Sequence, residues 1–222
     1  RVSIHQLKLV TGGADPFLPH LSHAIAQANE IEIAVAFVKV TGLRLLMPDL
    51  LSALNRCVGL EDASCKVRIL ASDYLDVTDP EALRLLLLLQ EQGAEVKIFS
   101  TVNGGSFHLK AYIFAGTCSE NTGTGTAFIG SSNITGQALQ EGLEWNYRVS
   151  YPADAGFLEI RQRFDDLFCN DKSIALTTAW VEEYERRRVQ PLRPIAPGSG
   201  GDWQSSPRRG SRRAGDTPSR AG

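Results

Sequence analysis

Three absences narrow what this chain of 222 residues can be. It has no window of about 18 uncharged apolar residues, and its five consecutive leucines, Leu85–Leu89, are too few to cross a bilayer. It has no Gly-Lys pair, which excludes a Walker A phosphate-binding loop. Its four cysteines form no C-x-x-C pair, so their spacing fits neither a zinc site nor a compact disulfide framework. We therefore expect a cytoplasmic protein with idle thiols and no membrane segment.

Charge is distributed unevenly along the chain, whose formal net charge is −2. Residues 190–222 hold six Arg and two Asp, a net of +4, which leaves −6 for residues 1–189. An acidic body argues against a broad phosphate-binding face, although it permits a local basic cleft. The C-terminal stretch is rich in Gly, Pro, Ser and Arg. We predict one folded domain at residues 1–189 and a disordered tail at residues 190–222.

Apolar periodicity in the first half of the chain predicts helices and strands in alternation. The predicted helices cover residues 17–29, 42–54 and about 80–92, and the predicted strands cover residues 31–38, 66–71 and 95–100. Strands that alternate with helices are typical of an α/β layered fold with a largely parallel sheet. In such folds ligands bind at the ends of strands, so polar residues at strand ends are candidates for function.

The most informative group of polar residues lies in the middle of the chain. His108 and Lys110 fall in a run that reads as a strand, residues 107–114, and side chains two apart on a strand share a face. Ser131 and Asn133, again two apart, follow a second short apolar run, and Glu144 comes later. An imidazole, an ammonium, a hydroxyl and an amide on adjacent strands can attack a phosphodiester and hold its non-bridging oxygens.

The H-x-K and G-S-x-N patterns at these positions, followed by an acid, resemble the phospholipase D superfamily, whose signature is often written HKD. The resemblance implies a phospholipase D-like layered fold with a mixed, largely parallel sheet flanked by helices. The usual Asp of the signature, five residues after the Lys, is replaced by Ala115. Residues 69–80, 106–110, 129–139 and 144–146 resemble one branch in particular, the single-motif module found beside DEAD/DEAH or Swi/Snf helicases and related to some restriction endonucleases.

The resemblance also implies a role for each residue. His108 is the nucleophile that forms a phosphohistidine, Lys110 and Asn133 hold phosphate oxygens, Ser131 adds a hydrogen bond, and Glu144 orients the imidazole. The donors Lys110 and Asn133 make a metal or other cofactor unnecessary. A second imidazole must protonate the leaving oxygen. Because only one H-x-K occurs, we expect His108 of a second chain to supply it in a homodimer.

Other residues have simpler explanations. His20 and His23, at i and i+3 on a predicted helix, are expected to be helix-face residues rather than metal ligands. Trp145 and Tyr112 offer rings for stacking bases, but core packing is the expected role of both. Ser131 is open between a phosphate contact and a turn cap.

Two functions stay open. The first is a metal-independent phosphodiesterase, a DNA nuclease-type module that uses a phosphohistidine in a homodimer. The alternative is a non-catalytic nucleic acid-binding module that serves a helicase partner or a fused helicase domain, with Ala115 marking decay. A phospholipase is disfavoured, because a second motif, a membrane segment and an interfacial amphipathic helix are all missing from the sequence.

Overall fold

The structure, a computed structural model, describes residues 8–56, 65–102, 104–116 and 123–189. The predicted disordered tail, residues 190–222, lies outside these ranges. The strands are β1 (Leu9–Gly12), β2 (Glu30–Val35), β3 (Lys66–Ser72), β4 (Glu95–Phe99), β5 (Lys110–Ala115), β6 (Gly125–Gly130), β7 (Leu143–Tyr151) and β8 (Ser173–Ala175). The helices are α1 (Phe17–Gln27), α2 (Val40–Asn55), α3 (Pro80–Glu91), α4 (Gly136–Gln140), α5 (Gly156–Phe168) and α6 (Thr178–Val189). No helix in the described ranges is long and apolar enough to span a membrane.

All eight strands form one sheet in the order β1-β7-β6-β5-β2-β3-β4-β8. The predicted α/β fold with a mixed sheet and flanking helices is therefore confirmed. The parallel part is smaller than predicted, however. Of the seven pairings among the described strands, only β2 with β3 and β3 with β4 are parallel. The reason is connectivity: β5, β6 and β7 follow one another without a full crossover helix, so neighbours along the chain must run in opposite directions.

The two faces of the sheet are covered unequally. One face packs against α1, α2, α3, α4 and α6 and forms the larger apolar core. The other face packs against α5, whose Phe157, Phe164 and Phe168 are buried there. Alternation along β5 divides the strand between the two cores, with Tyr112 on the five-helix side and Ile113 on the α5 side. Within the described residues, α5 is the one helix on its face.

The strand directions bring the predicted site residues to one end of the sheet. Strands β2, β3, β4 and β6 end there, and β5 and β7 begin there. The motif strand starts later than predicted, at Lys110 rather than at residue 107. Its ladder to β2 begins where Lys110 pairs with Val35, the last residue of β2. His108 therefore lies just outside the sheet, free of ladder bonds.

Candidate active site

His108 and Lys110 contact each other directly at this end of the sheet. The Lys110 Nζ lies 2.8 Å from His108 Nδ1 and donates a second hydrogen bond, also 2.8 Å, to the His108 carbonyl oxygen. Their shared face follows from the two-residue period of extended chain. His108 itself is exposed, whereas Lys110 is only 4% exposed. The imidazole is thus accessible to a ligand, while the buried ammonium contacts its Nδ1 atom.

Burial and a nearby carboxylate have opposite effects on the pKa of Lys110. Burial lowers the pKa of the Lys110 ammonium, and the carboxylate of Glu144 partly opposes this by favouring the charged form. Burial, with a smaller contribution from the same carboxylate, raises the pKa of the Tyr112 phenol beyond any physiological range. Lys110 and Glu144 therefore influence each other electrostatically, although they come from strands separated by β6.

Ser131 and Glu144 form a hydrogen-bonded pair beside the lysine. The hydroxyl of Ser131 donates to Glu144 Oε2 and accepts a 3.1 Å bond from the Trp145 backbone N–H. The register brings them together because Gly130 pairs with Asn146 across β6 and β7. The expected contact of Glu144 was with the imidazole. In the structure Ser131 is its hydrogen-bond donor, and Lys110 is the side chain that holds His108 Nδ1.

Asn133 is fixed by the backbone at the end of β2. Its side chain is mostly buried, and Oδ1 accepts a 3.1 Å hydrogen bond from the Phe37 N–H. A backbone N–H can only donate, so this contact determines the orientation of the amide. Among the described residues, Oδ1 is the only atom of the Asn133 side chain with a hydrogen-bond partner. The Nδ2 group is left as a donor for an oxygen of a bound ligand.

Buried hydrogen bonds fix the position of Ser132, which lies between the site residues Ser131 and Asn133. Ser132 accepts a 2.9 Å bond from Asn146 on its hydroxyl and a 3.0 Å bond from the Tyr112 hydroxyl on its carbonyl. Position 130 requires glycine because the β7 backbone approaches it closely: a Cβ at Gly130 would lie 2.0 Å from the Trp145 carbonyl oxygen. The Tyr112 ring is 1% exposed, so the prediction that it packs in the core is confirmed.

Sequence reasoning assigned no role to Tyr74, whose ring stands against His108. The two ring centroids are 6.5 Å apart and the planes meet at 78°. Tyr74 opens a short turn after β3 in which Leu75 and Asp76 have left-handed backbone angles. Asp73 anchors the turn by accepting bonds of 2.7 and 2.8 Å from Thr101. The signal available in the sequence was the Ser-Asp-Tyr segment at the end of a predicted strand, where ligands are expected.

Ala115, which replaces the usual Asp of the motif, is remote from these groups. It is the last residue of β5, five residues from Lys110 or roughly 17 Å along the strand. Its side chain belongs to the apolar cluster on the α5 face, opposite to Lys110. The substitution therefore removes no group from the His108 neighbourhood.

The remaining histidines are placed elsewhere. His20 is buried and bonded to Asp15 at 2.7 Å and to Arg148 at 2.8 Å, and His23 is exposed on the same helix. Both border a cavity near Gly116 and Gly125, at the opposite end of β5 and β6 from His108. His5 lies outside the described residues. The helix-face role predicted for His23 agrees with its exposure, whereas His20 faces inward to an acid and an arginine.

Together these groups present one exposed imidazole, one buried ammonium and one oriented amide donor at the end of a mixed sheet, a set suited to an anionic phosphoryl group. The family described as "Cardiolipin synthase, PLD-like domain" matches residues 21–171. The chain belongs to this PLD-like family. The matched range contains His108, Lys110, Ser131, Asn133 and Glu144, and the family supports, at a coarse level, action on phosphodiester bonds.

The fold of a solved structure, NucT, agrees with that of a PLD-like domain. NucT from Helicobacter pylori is 18% identical, with a TM-score of 0.51, and the match covers 71% of this chain and 89% of NucT. Polyphosphate kinase from Porphyromonas gingivalis is 14% identical, with a TM-score of 0.47 over 68% of this chain and 23% of the kinase. A search of curated proteins finds no match.

Proposed function

We propose that this PLD-like domain is a metal-independent phosphodiesterase of the nuclease type, acting on DNA through a phosphohistidine at His108. The observation that carries the proposal is the contact between His108 Nδ1 and Lys110 Nζ at an exposed strand end, with the Asn133 amide held beside the same edge. An ammonium and an amide supply the donors that an attacked phosphoryl group needs. Cytoplasmic location belongs to the proposal and rests on the sequence.

The reaction has two steps: His108 is first phosphorylated and then dephosphorylated by water. The lone pair on Nε2 attacks phosphorus, and the bond from phosphorus to the leaving oxygen breaks. A second imidazole gives its Nε2 proton to that oxygen while the Lys110 of its own chain passes a proton to its Nδ1. Nε2 of that ring then takes a proton from water as the water attacks the phosphohistidine. Lys110 turns from Nδ1 to the phosphate oxygens, which frees Nδ1 to hold the proton that Nε2 must lose. The role predicted for Glu144, orienting the imidazole, stays a prediction.

The second imidazole comes from His108 of another copy in our proposal. His20 and His23 border the far end of β5 and β6, on the order of 20 Å from the site by strand length. His20 is also engaged by Asp15 and Arg148. A two-fold axis near His108 would supply a second His108, Lys110 and Asn133 without any further sequence.

The alternative, a non-catalytic nucleic acid-binding module beside a helicase, rested on the loss of the motif Asp. The remote position of Ala115, on the opposite face from Lys110, favours retained catalysis over decay. The helicase partner and the preference for DNA rest on the resemblance. The phospholipase function is disfavoured for the reasons already visible in the sequence.

One assay separates these functions. Plasmid DNA, single-stranded DNA, RNA and a bis-aryl phosphodiester are incubated in EDTA with the wild type, with His108→Ala, and with His23→Ala as the matched control. We expect cleavage by the wild type and by His23→Ala, and none by His108→Ala. Activity that vanishes in EDTA and returns with magnesium contradicts the mechanism. Nucleic acid binding without cleavage of any substrate supports the helicase-associated alternative.

A further inference from the structure

An aromatic ring beside His108 supplies a contact that the sequence did not predict. The ring centroids of Tyr74 and His108 are 6.5 Å apart and the planes meet at 78°, an arrangement in which aromatic rings attract each other. Glu144, the residue expected to orient the imidazole, accepts a hydrogen bond from the Ser131 hydroxyl instead. His108 lies just outside the sheet, so the orientation of its ring depends on side-chain contacts of this kind.

Trp145, another aromatic residue at this end of the sheet, lies on the wrong face for the same role. It alternates on β7 with Glu144, so the indole projects from the α5 face while Glu144 and Lys110 project from the other face. The indole is 68% exposed, and the expectation that Trp145 packs in the core is wrong. The cause is that α5 covers only part of its face. Of the two aromatic residues, Tyr74 is the one that the fold brings to His108.

The turn that carries Tyr74 has a backbone conformation that most residues avoid. Leu75 and Asp76, the next two residues, have φ angles of 56° and 52°, in the left-handed region. Neither is glycine, so each conformation costs free energy that contacts elsewhere must offset. The side chain of Leu75 is 72% exposed, so its own burial does not offset this cost. Backbone strain of this kind clusters at active sites, which makes the turn a candidate part of this one.

Hydrogen bonds to two aspartates fix the turn. Arg187 donates to Asp76 Oδ1 from Nε at 3.0 Å and from Nη2 at 2.5 Å, and Nη2 also donates to Asp73 Oδ2 at 3.4 Å. Asp73 Oδ1 accepts two further bonds from the N–H and the hydroxyl of Thr101. Asp73 precedes Tyr74 and Asp76 follows it by two residues. One guanidinium therefore bridges the residues on both sides of the ring that contacts His108.

Arg187 is itself fixed, because its helix packs on the larger core. Tyr184, three residues earlier on α6, is 1% exposed and donates a 2.9 Å hydrogen bond to the carbonyl oxygen of Thr78, just after the turn. The guanidinium carbon of Arg187 lies 5.2 Å from the Tyr184 ring centroid, within the range of a cation–π contact. Helix α6 thus contacts the turn at several points and is connected through it to His108.

We propose that Tyr74 is a positioning residue for His108, and that Arg187 acts on the same imidazole through Tyr74. The inference rests on the proposed function, in which His108 is the nucleophile and Lys110 leaves Nδ1 to bind the phosphate. That movement removes the 2.8 Å contact that fixes the imidazole before the reaction. The Tyr74 ring does not depend on Lys110, so it restrains the plane of the imidazole during the attack and keeps Nε2 directed at phosphorus.

Such a restraint affects the rate of the chemical step rather than the binding of substrate. A nucleophile that points away from phosphorus reacts more slowly, although the phosphate is still bound. With the bis-aryl phosphodiester we expect Tyr74→Leu to lower kcat roughly threefold to tenfold, as for the loss of one aromatic ring pair, with KM unchanged. Tyr74→Phe keeps the ring and removes the hydroxyl, so it should retain the wild-type kcat.

Arg187 is tested against its neighbour on the same helix. Arg187→Gln should lower kcat by a factor similar to that of Tyr74→Leu, whereas Arg186→Gln should not, because Arg186 pairs with Glu183 on the exposed side of α6. Asp76→Asn removes the same ion pair from the turn, and asparagine tolerates left-handed backbone. It should reproduce the kcat of Arg187→Gln. Thermal unfolding confirms that each variant is folded at the assay temperature.

A double variant determines whether Arg187 acts through Tyr74. Adding Arg187→Gln to Tyr74→Leu should lower kcat no further, because the ring that Arg187 positions is then absent. A loss equal to the product of the two single losses overturns the link between the two residues. An unchanged kcat in Tyr74→Leu, an equal loss in Tyr74→Phe, or a higher KM at unchanged kcat overturns the positioning role.

NMR of the His108 ring provides a readout that does not require activity. Its resonances are assigned by comparison with His108→Ala. The ring current of Tyr74 shifts nearby hydrogens, so Tyr74→Leu and Arg187→Gln should move the His108 resonances in the same direction, and Arg186→Gln should leave them in place. Resonances that do not move in Tyr74→Leu overturn the inference even in an inactive protein. An inactive wild type, or full activity in His108→Ala, contradicts the proposed function instead.

Discussion

The Nζ of Lys110 lies 2.8 Å from Nδ1 of His108. In the proposed mechanism this contact links phosphate binding to the protonation of the imidazole. When the ammonium donates to Nδ1, the neutral ring keeps its hydrogen on Nε2. As Nε2 of that ring gives its proton to a leaving oxygen, Lys110 can pass one of its own to Nδ1, so the ring stays neutral. When Lys110 moves to a phosphate, Nδ1 can take the hydrogen and Nε2 becomes a nucleophile. One contact can therefore serve both roles that the proposed mechanism asks of the two copies.

Lys110→Met should abolish activity and stabilise the fold. Burial lowers the pKa of the Lys110 ammonium, so the folded state bears a cost for the charged form. We therefore expect a higher melting temperature than that of the wild type at neutral pH. The pKa of Lys110 is lower in the folded state than in the unfolded state. The free-energy cost of the buried charge is therefore complete at pH values below the folded-state pKa, and it disappears at pH values above the unfolded-state pKa. The gain should thus shrink as pH rises toward the ordinary lysine range. An unchanged or lower melting temperature at neutral pH would count against a buried charge.

Glu144→Gln should move the basic limb of the pH profile of kcat/KM to lower pH. The Glu144 carboxylate favours the charged form of Lys110, so its removal lowers the lysine pKa further and the ammonium is lost earlier as pH rises. Glu141→Gln is the matched control, an exposed acid three residues upstream. A limb that stays in place in Glu144→Gln, or that moves equally in Glu141→Gln, contradicts this coupling.

A chain that ends at Arg188 should fold as the longer chain does. Helix α6 is attached to the larger core through Val181 and Tyr184, both at least 98% buried. The composition of residues 190–222 offers too little apolar surface to offset the entropy of ordering them. We expect a melting temperature within about 2 °C of the full chain, measured by circular dichroism. Aggregation or a much lower melting temperature would contradict the predicted domain boundary.

The sequence predicted the layout of the site better than its contacts. The two-residue period placed His108 and Lys110 on one face, and the short apolar run before Ser131 placed Ser131 and Asn133 at a strand end. Glu144 was identified from the family resemblance. Spacing does not specify side-chain torsions, which is why the pairing of Glu144 with Ser131 could not be anticipated. Strands β1 and β8, with four and three residues, are too short to carry a periodic signal.

Trp145 and Tyr112 show where burial could be predicted and where it could not. Both are large aromatic residues in apolar strands, and both were expected in the core. Alternation identifies the face of a strand, but whether that face is covered depends on how far a distant helix extends. Five helices cover the face of Tyr112, whereas α5 stops short of Trp145.

The proposed site, built from His108 of two chains, is tested most directly by the activity of a purified heterodimer of wild type and His108→Ala. The two chains are co-expressed with different affinity tags, isolated by sequential purification, and assayed in EDTA on a bis-aryl phosphodiester. The account predicts activity as low as that of the His108→Ala homodimer, because one imidazole cannot act as both nucleophile and acid. Half of the wild-type activity would mean that each chain holds a complete site, and would contradict the account.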